Sequence, residues 1–177
     1  MNDMISLNKY GAVTAPLEIT IQRKLPGPIE RIWDYLTDSD LRRQWLASGI
    51  MPETPGDTFE LVWRNDELTD QPEKRPEGFP QEQRMTSEIV AFEAPHRLVF
   101  SWPPSGKVSI ELKPIGSDVL LTLVHSHIYD RRNMTMVGAG WHMHLDILTA
   151  KANGRKPEPF WQGWLRLREE YERLIPE

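Results

Sequence analysis

Leu17, Ile19 and Ile21 alternate with Glu18, Thr20 and Gln22, the period of two shown by a strand with one buried face and one wet face. This predicts a first strand over 17–22. Pro26-Gly27-Pro28 ends it, and Pro28 has the fixed φ that suits a first helical position. Ile29, Trp33 and Leu36, spaced four and three apart, then predict a short helix with its apolar side inward. Thr37 and Asp38 offer caps for a second short helix, with Leu41 and Trp45 on one face and Arg42 and Arg43 outside. Phe59, Leu61 and Trp63 alternate with Glu60, Val62 and Arg64 as the next strand. Four more follow over 85–92, 98–102, 107–113 and 118–128. Connections such as Pro103-Pro104-Ser105-Gly106 and Ile115-Gly116-Ser117 are short, so neighbouring strands should pair antiparallel as a meander.

Residues 65–83 break the pattern. Pro72, Pro76, Gly78 and Pro80 stand there among charges, which predicts a long exposed loop, either a lid or a disordered stretch. After residue 128 the period changes to that of a helix. Val137, Trp141, Leu145, Leu148 and Ala152 recur on one side, Met136, Met143, Ile147 and Ala150 widen it, and Asn153-Gly154 supplies a stop. An apolar face that broad suits a helix lying across a sheet. A last helix starts near Pro159 and aligns Phe160, Trp164, Leu167, Tyr171 and Leu174. Helices segregated from an antiparallel sheet make the fold class α+β.

At 177 residues the chain is the size of one domain, here expected over 16–177 behind a flexible segment over 1–15. The net charge of −5, with no basic stripe, disfavours a nucleic-acid partner. Cysteine is absent, which removes disulfides and thiolate chemistry and agrees with a reducing cytoplasm. Neither a signal peptide nor a membrane span is legible, so a cytoplasmic location is expected. Nucleophile-elbow, phosphate-loop and dinucleotide fingerprints are missing, and the sequence calls for no cofactor. Seven tryptophans are a heavy allocation, and part of that aromatic area is expected to face a cavity.

Several phrases resemble one family in order. These are residues 25–33 (Leu-Pro-Gly-Pro-Ile-Glu-Arg-Ile-Trp) with Leu36-Thr-Asp, Trp45, residues 95–102 (Pro-His-Arg-Leu-Val-Phe-Ser-Trp), Leu-Thr-Leu-Val-His at 121–125, and Gly-Trp-His-Met-His-Leu-Asp-Ile-Leu at 140–148. They resemble bacterial proteins similar to the C-terminal domain of the activator of the heat-shock-protein-90 ATPase, within the helix-grip superfamily of START domains, birch-pollen-allergen-type proteins and polyketide cyclases. The resemblance implies a curved antiparallel sheet of about seven strands bent around a long C-terminal helix, with a cavity between them and an extra terminal helix here. It also implies a ligand that is a small hydrophobic molecule or lipid, or else a chaperone or other protein partner. Monomer and homodimer are both left open.

Three sets of candidate residues follow. If the sheet curls around the helix, Leu61, Trp63, Phe100, Trp102, Ile110, Leu121, Leu123 and His125 would face Trp141, His144, Leu145 and Leu148, either as cavity lining or as a closed core. His125 and His127, two apart in a strand, should share a face, whereas His142 and His144, two apart on a helix, should diverge. That spacing lacks the i, i+4 pair of metal-binding helices, so no metal is expected. An enzymatic reading would use His125 or His127 as base, Glu88 or Asp146 to orient it, and Arg84 or Tyr129 to stabilise an enolate-like oxygen. Finally, Arg42, Arg43 and Trp45, with Trp161, Trp164 and Tyr171, would form a protein-binding hot spot if exposed, or anchor their helices if buried.

Overall fold

Seven strands form one antiparallel sheet, most of them with alternating apolar positions: β1 (Ala12–Ala15), β2 (Glu18–Pro26), β3 (Thr58–Trp63), β4 (Gln83–Glu93), β5 (Arg97–Trp102), β6 (Gly106–Ile115) and β7 (Asp118–Ser126), β1 being an exception. The computed structural model describes residues 8–70 and 73–177; the first seven residues of the expected flexible segment, and Pro72 of the expected loop, lie outside the described residues. Strands run in the order β1-β2-β7-β6-β5-β4-β3. The meander is therefore as expected from β3 to β7, and β2 closes on the last strand, from Ile19 opposite His125 to Pro26 opposite Asp118. Two short helices, α1 (Ile29–Thr37) and α2 (Ser39–Arg42), carry the chain from β2 to the far edge at β3.

Two boundaries depart from the sequence reading. Residues 12–15, expected to be loose, form the edge strand β1 against β2. All four are exposed, so no buried face marks them as a strand. The last strand stops at Ser126, two residues early, because His127 turns the chain with a left-handed φ of 56°. Asp130 then caps α3 (Arg131–Ala152) by accepting the Asn133 N–H at 2.8 Å, and the helix runs for about 33 Å at ~1.5 Å per residue.

The apolar side of α3 joins the inner face of the sheet in a single core. Leu145 and Leu148 are fully buried there, in one cluster with Ile21, Leu61, Leu121 and Leu123. Truncating any one of these to alanine would cost about 2–5 kcal/mol. One inward position of β2 is charged: Arg23, 7% exposed, reaches α3 and donates to Asp146 at 2.9 Å. The C-terminal helix α4 (Phe160–Leu174) docks on α3, where Gly138 receives the ring of Tyr171 and Gly163 receives the Met143 side chain.

Candidate functional site

A stripe of α3 residues, Met136, Val137, Gly140, Trp141 and His144, lies along one side of the helix, because positions three and four apart share a face, and lines the edge of the core. Opposite the stripe lie Trp63 at the end of β3 and Trp102 at the end of β5. Between them is a cleft of about 390 Å³, within the range of small-molecule sites. Its floor is a row of three indoles. Trp102 sits with its ring centroid 5.5 Å from both Trp63 and Trp141, at tilted or edge-on angles that favour aromatic pairs.

The roof comes from α4 and from the loop before β4. Phe79 packs 5.0 Å from Trp164 and 5.3 Å from Trp161. The loop is pinned by α4 itself. Pro159 provides no side-chain cap, and Glu73 does so instead: its carboxylate accepts the backbone N–H groups of Trp161 (3.1 Å) and Gln162 (2.9 Å), where the helix dipole favours negative charge. Asp66 adds a bond from the Trp161 indole at 2.8 Å and an ion pair with Arg75. The described part of the loop is thus an ordered cover.

Polar groups in the cleft are few. His144 bonds through Nδ1 to the carbonyl of Trp45 at 2.8 Å, and because a carbonyl only accepts, the proton is on Nδ1 and Nε2 keeps a lone pair. Burial, partly opposed by that bond, pulls its pKa down to about 4, so the ring is neutral at pH 7. Asn65 also lines the cleft, and its Oδ1 is the one buried side-chain oxygen or nitrogen without a hydrogen-bond partner among the described residues. His144 is thus the acceptor of the pair, whereas Oδ1 of Asn65 is closed off from solvent. Arg84 at the rim is engaged with Glu60 and Glu82.

Beside the cleft, sharing Trp102, Pro103, Asn133 and Val137 with it, is a second hollow of about 310 Å³ bordered by the β5–β6 turn and by His125, His127 and Tyr129. The Trp141 indole N–H donates to Nδ1 of His125 at 3.0 Å. Burial pulls the His125 pKa down to about 4.

Of the twelve residues expected to line a cavity, Trp63, Trp102, Trp141 and His144 border the cleft and His125 borders the hollow. Leu61, Phe100, Ile110, Leu121, Leu123, Leu145 and Leu148 do not. None is more than 2% exposed, and they form the sealed core. His125 and His127 border the same hollow, but they are not equivalent: His125 is buried, and His127, beyond the strand end in its left-handed turn, is exposed. His142 and His144 diverge as expected. His142 belongs to a buried chain in which the Gly11 N–H donates to the Tyr171 hydroxyl, the hydroxyl bonds to Nδ1 of His142, and Nε2 faces Asp146 at 3.3 Å. Burial works against ionisation of Asp146, but the bonds from His142 and Arg23 hold its carboxyl below the usual carboxylate range.

The enzymatic grouping does not assemble: Asp146 serves Arg23 and His142, Glu88 is exposed on β4, and Nδ1 of His125 is taken by Trp141. Among the described residues no three His, Asp or Glu side chains gather to hold a metal ion. The expected hot spot is also not a surface. Arg42 is 2% exposed and Trp45, Trp161, Trp164 and Tyr171 are all buried, because each anchors a helix, so that only Arg43 of the set is exposed. Gly140, Asn65, Phe79, Phe160 and Trp161 belong to the cleft but were not legible as such. A glycine inside a helix was the available signal for the first, whereas the rest depend on tertiary placement.

A sheet wrapped around a long helix, with an aromatic cleft at one end of their interface, defines a helix-grip protein. The chain belongs to the activator of Hsp90 ATPase homolog 1-like family, whose model matches residues 26–153. It is similar to a Bordetella parapertussis protein solved by NMR, at 34% identity and TM-score 0.81, with 100% of this chain and 97% of that one covered. It also shares its fold with CalU16 from Micromonospora echinospora, at 21% identity and TM-score 0.66 (90% and 89% covered), and with a conserved Enterococcus faecalis protein of unknown function, at 16% and 0.64 (90% and 86% covered). No curated protein matches the chain. Among the described residues no helix is long and apolar enough to cross a membrane.

Proposed function

We propose that this protein is a non-catalytic binder of a small, largely aromatic molecule, held in the cleft between the three-indole floor and the roof formed by Phe79 and α4. The observation that carries this reading is Gly140. It sits inside α3, where glycine costs roughly 1 kcal/mol relative to alanine. A Cβ built there would meet nothing within 4 Å, so packing does not require the glycine. What it leaves open is the cleft. The acceptor on His144 favours a ligand that carries a hydroxyl or N–H donor, because a donor-free guest leaves its Nε2 without a partner.

Titration with 2-naphthol, followed by tryptophan fluorescence, tests the reading. Saturable binding is expected in the native protein and none in Gly140→Phe, whose added ring would occupy the cleft. Equal affinity in the two would overturn it. The chaperone-activator reading draws on the family description, while of the residues expected to form its contact surface Arg43 alone is exposed and Arg42, Trp45, Trp161, Trp164 and Tyr171 are buried.

A further inference from the structure

Nδ1 of His125 faces an indole N–H, and an indole can only donate. The lone pair of the neutral ring is therefore on Nδ1 and the proton on Nε2. The neutral state is secured by burial, which keeps the ring from protonating until about pH 4. His125 borders the second hollow, and its Nε2 lies beside Gly106, which borders the same hollow: a Cβ on that glycine would sit 3.0 Å from Nε2 and crowd it. The wall around it is mostly apolar, with Trp102, Pro103, Pro104, Ile128 and Val137, although Ser105, His127, Tyr129 and Asn133 also border the hollow. His144, with its proton on Nδ1, has the opposite polarity in the adjoining cleft.

We infer that the second hollow is a subsite for a hydrogen-bond acceptor, an uncharged carbonyl of a ketone, aldehyde or ester, which the Nε2–H of His125 binds while Trp141 holds the tautomer. This rests on the reading of the cleft as a ligand site, since the two spaces share Trp102 and Val137 and one molecule would extend across both. The arrangement selects by the sign of the hydrogen bond, with the His144 acceptor in the cleft and the His125 donor in the hollow. His125 would then determine specificity, and Trp141 would be a positioning residue.

The test uses two probes of the same shape, 2-acetylnaphthalene and 2-isopropenylnaphthalene, which differ by C=O against C=CH2. The full chain, labelled with 15N-histidine, is titrated with each and followed by fluorescence and by the ring nitrogen resonances. His125 is expected in the Nε2–H form before any ligand is added. Only the acetyl probe should shift that resonance, and its preference over the isopropenyl probe should fall about tenfold in His125→Phe. Trp141→Phe should keep the ring but release the tautomer, so that the Nδ1–H form appears and part of the preference is lost. If His125→Phe does not fold, the resonances of the native protein decide. An Nδ1–H tautomer in the free protein, or a resonance that neither probe moves while both bind alike, would overturn the inference and leave the cleft reading standing. Failure of both probes and of 2-naphthol to bind would remove the cleft reading, and this inference with it.

Discussion

A Cβ on Gly138 would lie 2.9 Å from Cδ1 of Tyr171, closer than packed side chains come, so α4 can seat on α3 only while that position has no side chain. Gly163 does the same for Met143 from the other helix. Gly140, two residues away, has open space in the corresponding direction. Alanine at the three positions should therefore give opposite signs. Gly138→Ala and Gly163→Ala should lose about 1–3 kcal/mol through overpacking, the second less because Met143 is flexible. Gly140→Ala should gain up to about 1 kcal/mol. Urea unfolding of the three variants checks this, and a destabilised Gly140→Ala would refute the contrast.

Arg42 is a buried charge that holds together the turn after α2. Its guanidinium donates to the carbonyls of Ala47 (3.1 Å), Leu36 and Thr37 (3.3 Å each) and to Gly49. Burial lowers its pKa to about 10, which leaves it charged at neutral pH. Arg42→Met should cost about 3 kcal/mol by leaving these carbonyls without donors, and Arg42→Lys should not restore it, because an ammonium cannot reproduce the fork. Thermal unfolding would show both. A lysine variant as stable as the native protein would contradict this account.

Stability should fall on acidification. His125 and His144 are held down to about 4 by burial, against 6.5 for an ordinary imidazole. As pH drops through 6.5, the unfolded chain takes up protons that the folded protein refuses, so stability is lost down to about pH 4 and the loss then levels off. Each ring accounts for up to roughly 3 kcal/mol. Asp146, whose carboxyl is held low, adds stability above its unfolded pKa that also disappears as pH falls. Urea midpoints measured between pH 7 and 4.5 should show this slope, and His144→Gln should flatten it. An unchanged slope in that variant would rule out His144 as a source.

Glu73 should matter more for the roof than for the sheet. Glu73→Ala removes both backbone acceptors at the start of α4, a loss of about 1–2 kcal/mol by the usual value of a cap. Amide exchange at Trp161 and Gln162 should quicken by more than exchange in β6 and β7. Uniform acceleration across the chain would indicate a global effect instead.

The sheet, α3 and α4 were legible because each has one apolar face with its own period. The edge strand β1 escaped because four exposed residues carry no such face, and the start of α3 because its cap, Asp130, precedes the apolar stripe by several residues. Within the site, Trp63, Trp102, Trp141 and His144 could be read from strand ends and helix phase. Phe79 and Asn65 could not, because their place depends on contacts between the loop and α4, such as Glu73 with Trp161, 88 positions apart. Whether an apolar stripe closes on itself or leaves room is likewise not carried by its period; at Gly140 a Cβ would meet nothing within 4 Å.

The cap that Glu73 supplies also imposes an order of assembly. During synthesis every strand and all of α3 emerge before residues 160–164. Until those residues arrive, the loop has only its own ties, such as Arg75 with Asp66, and the row of Trp63, Trp102 and Trp141 lacks the part of its cover that α4 supplies, the kind of transient apolar exposure that chaperones attend to.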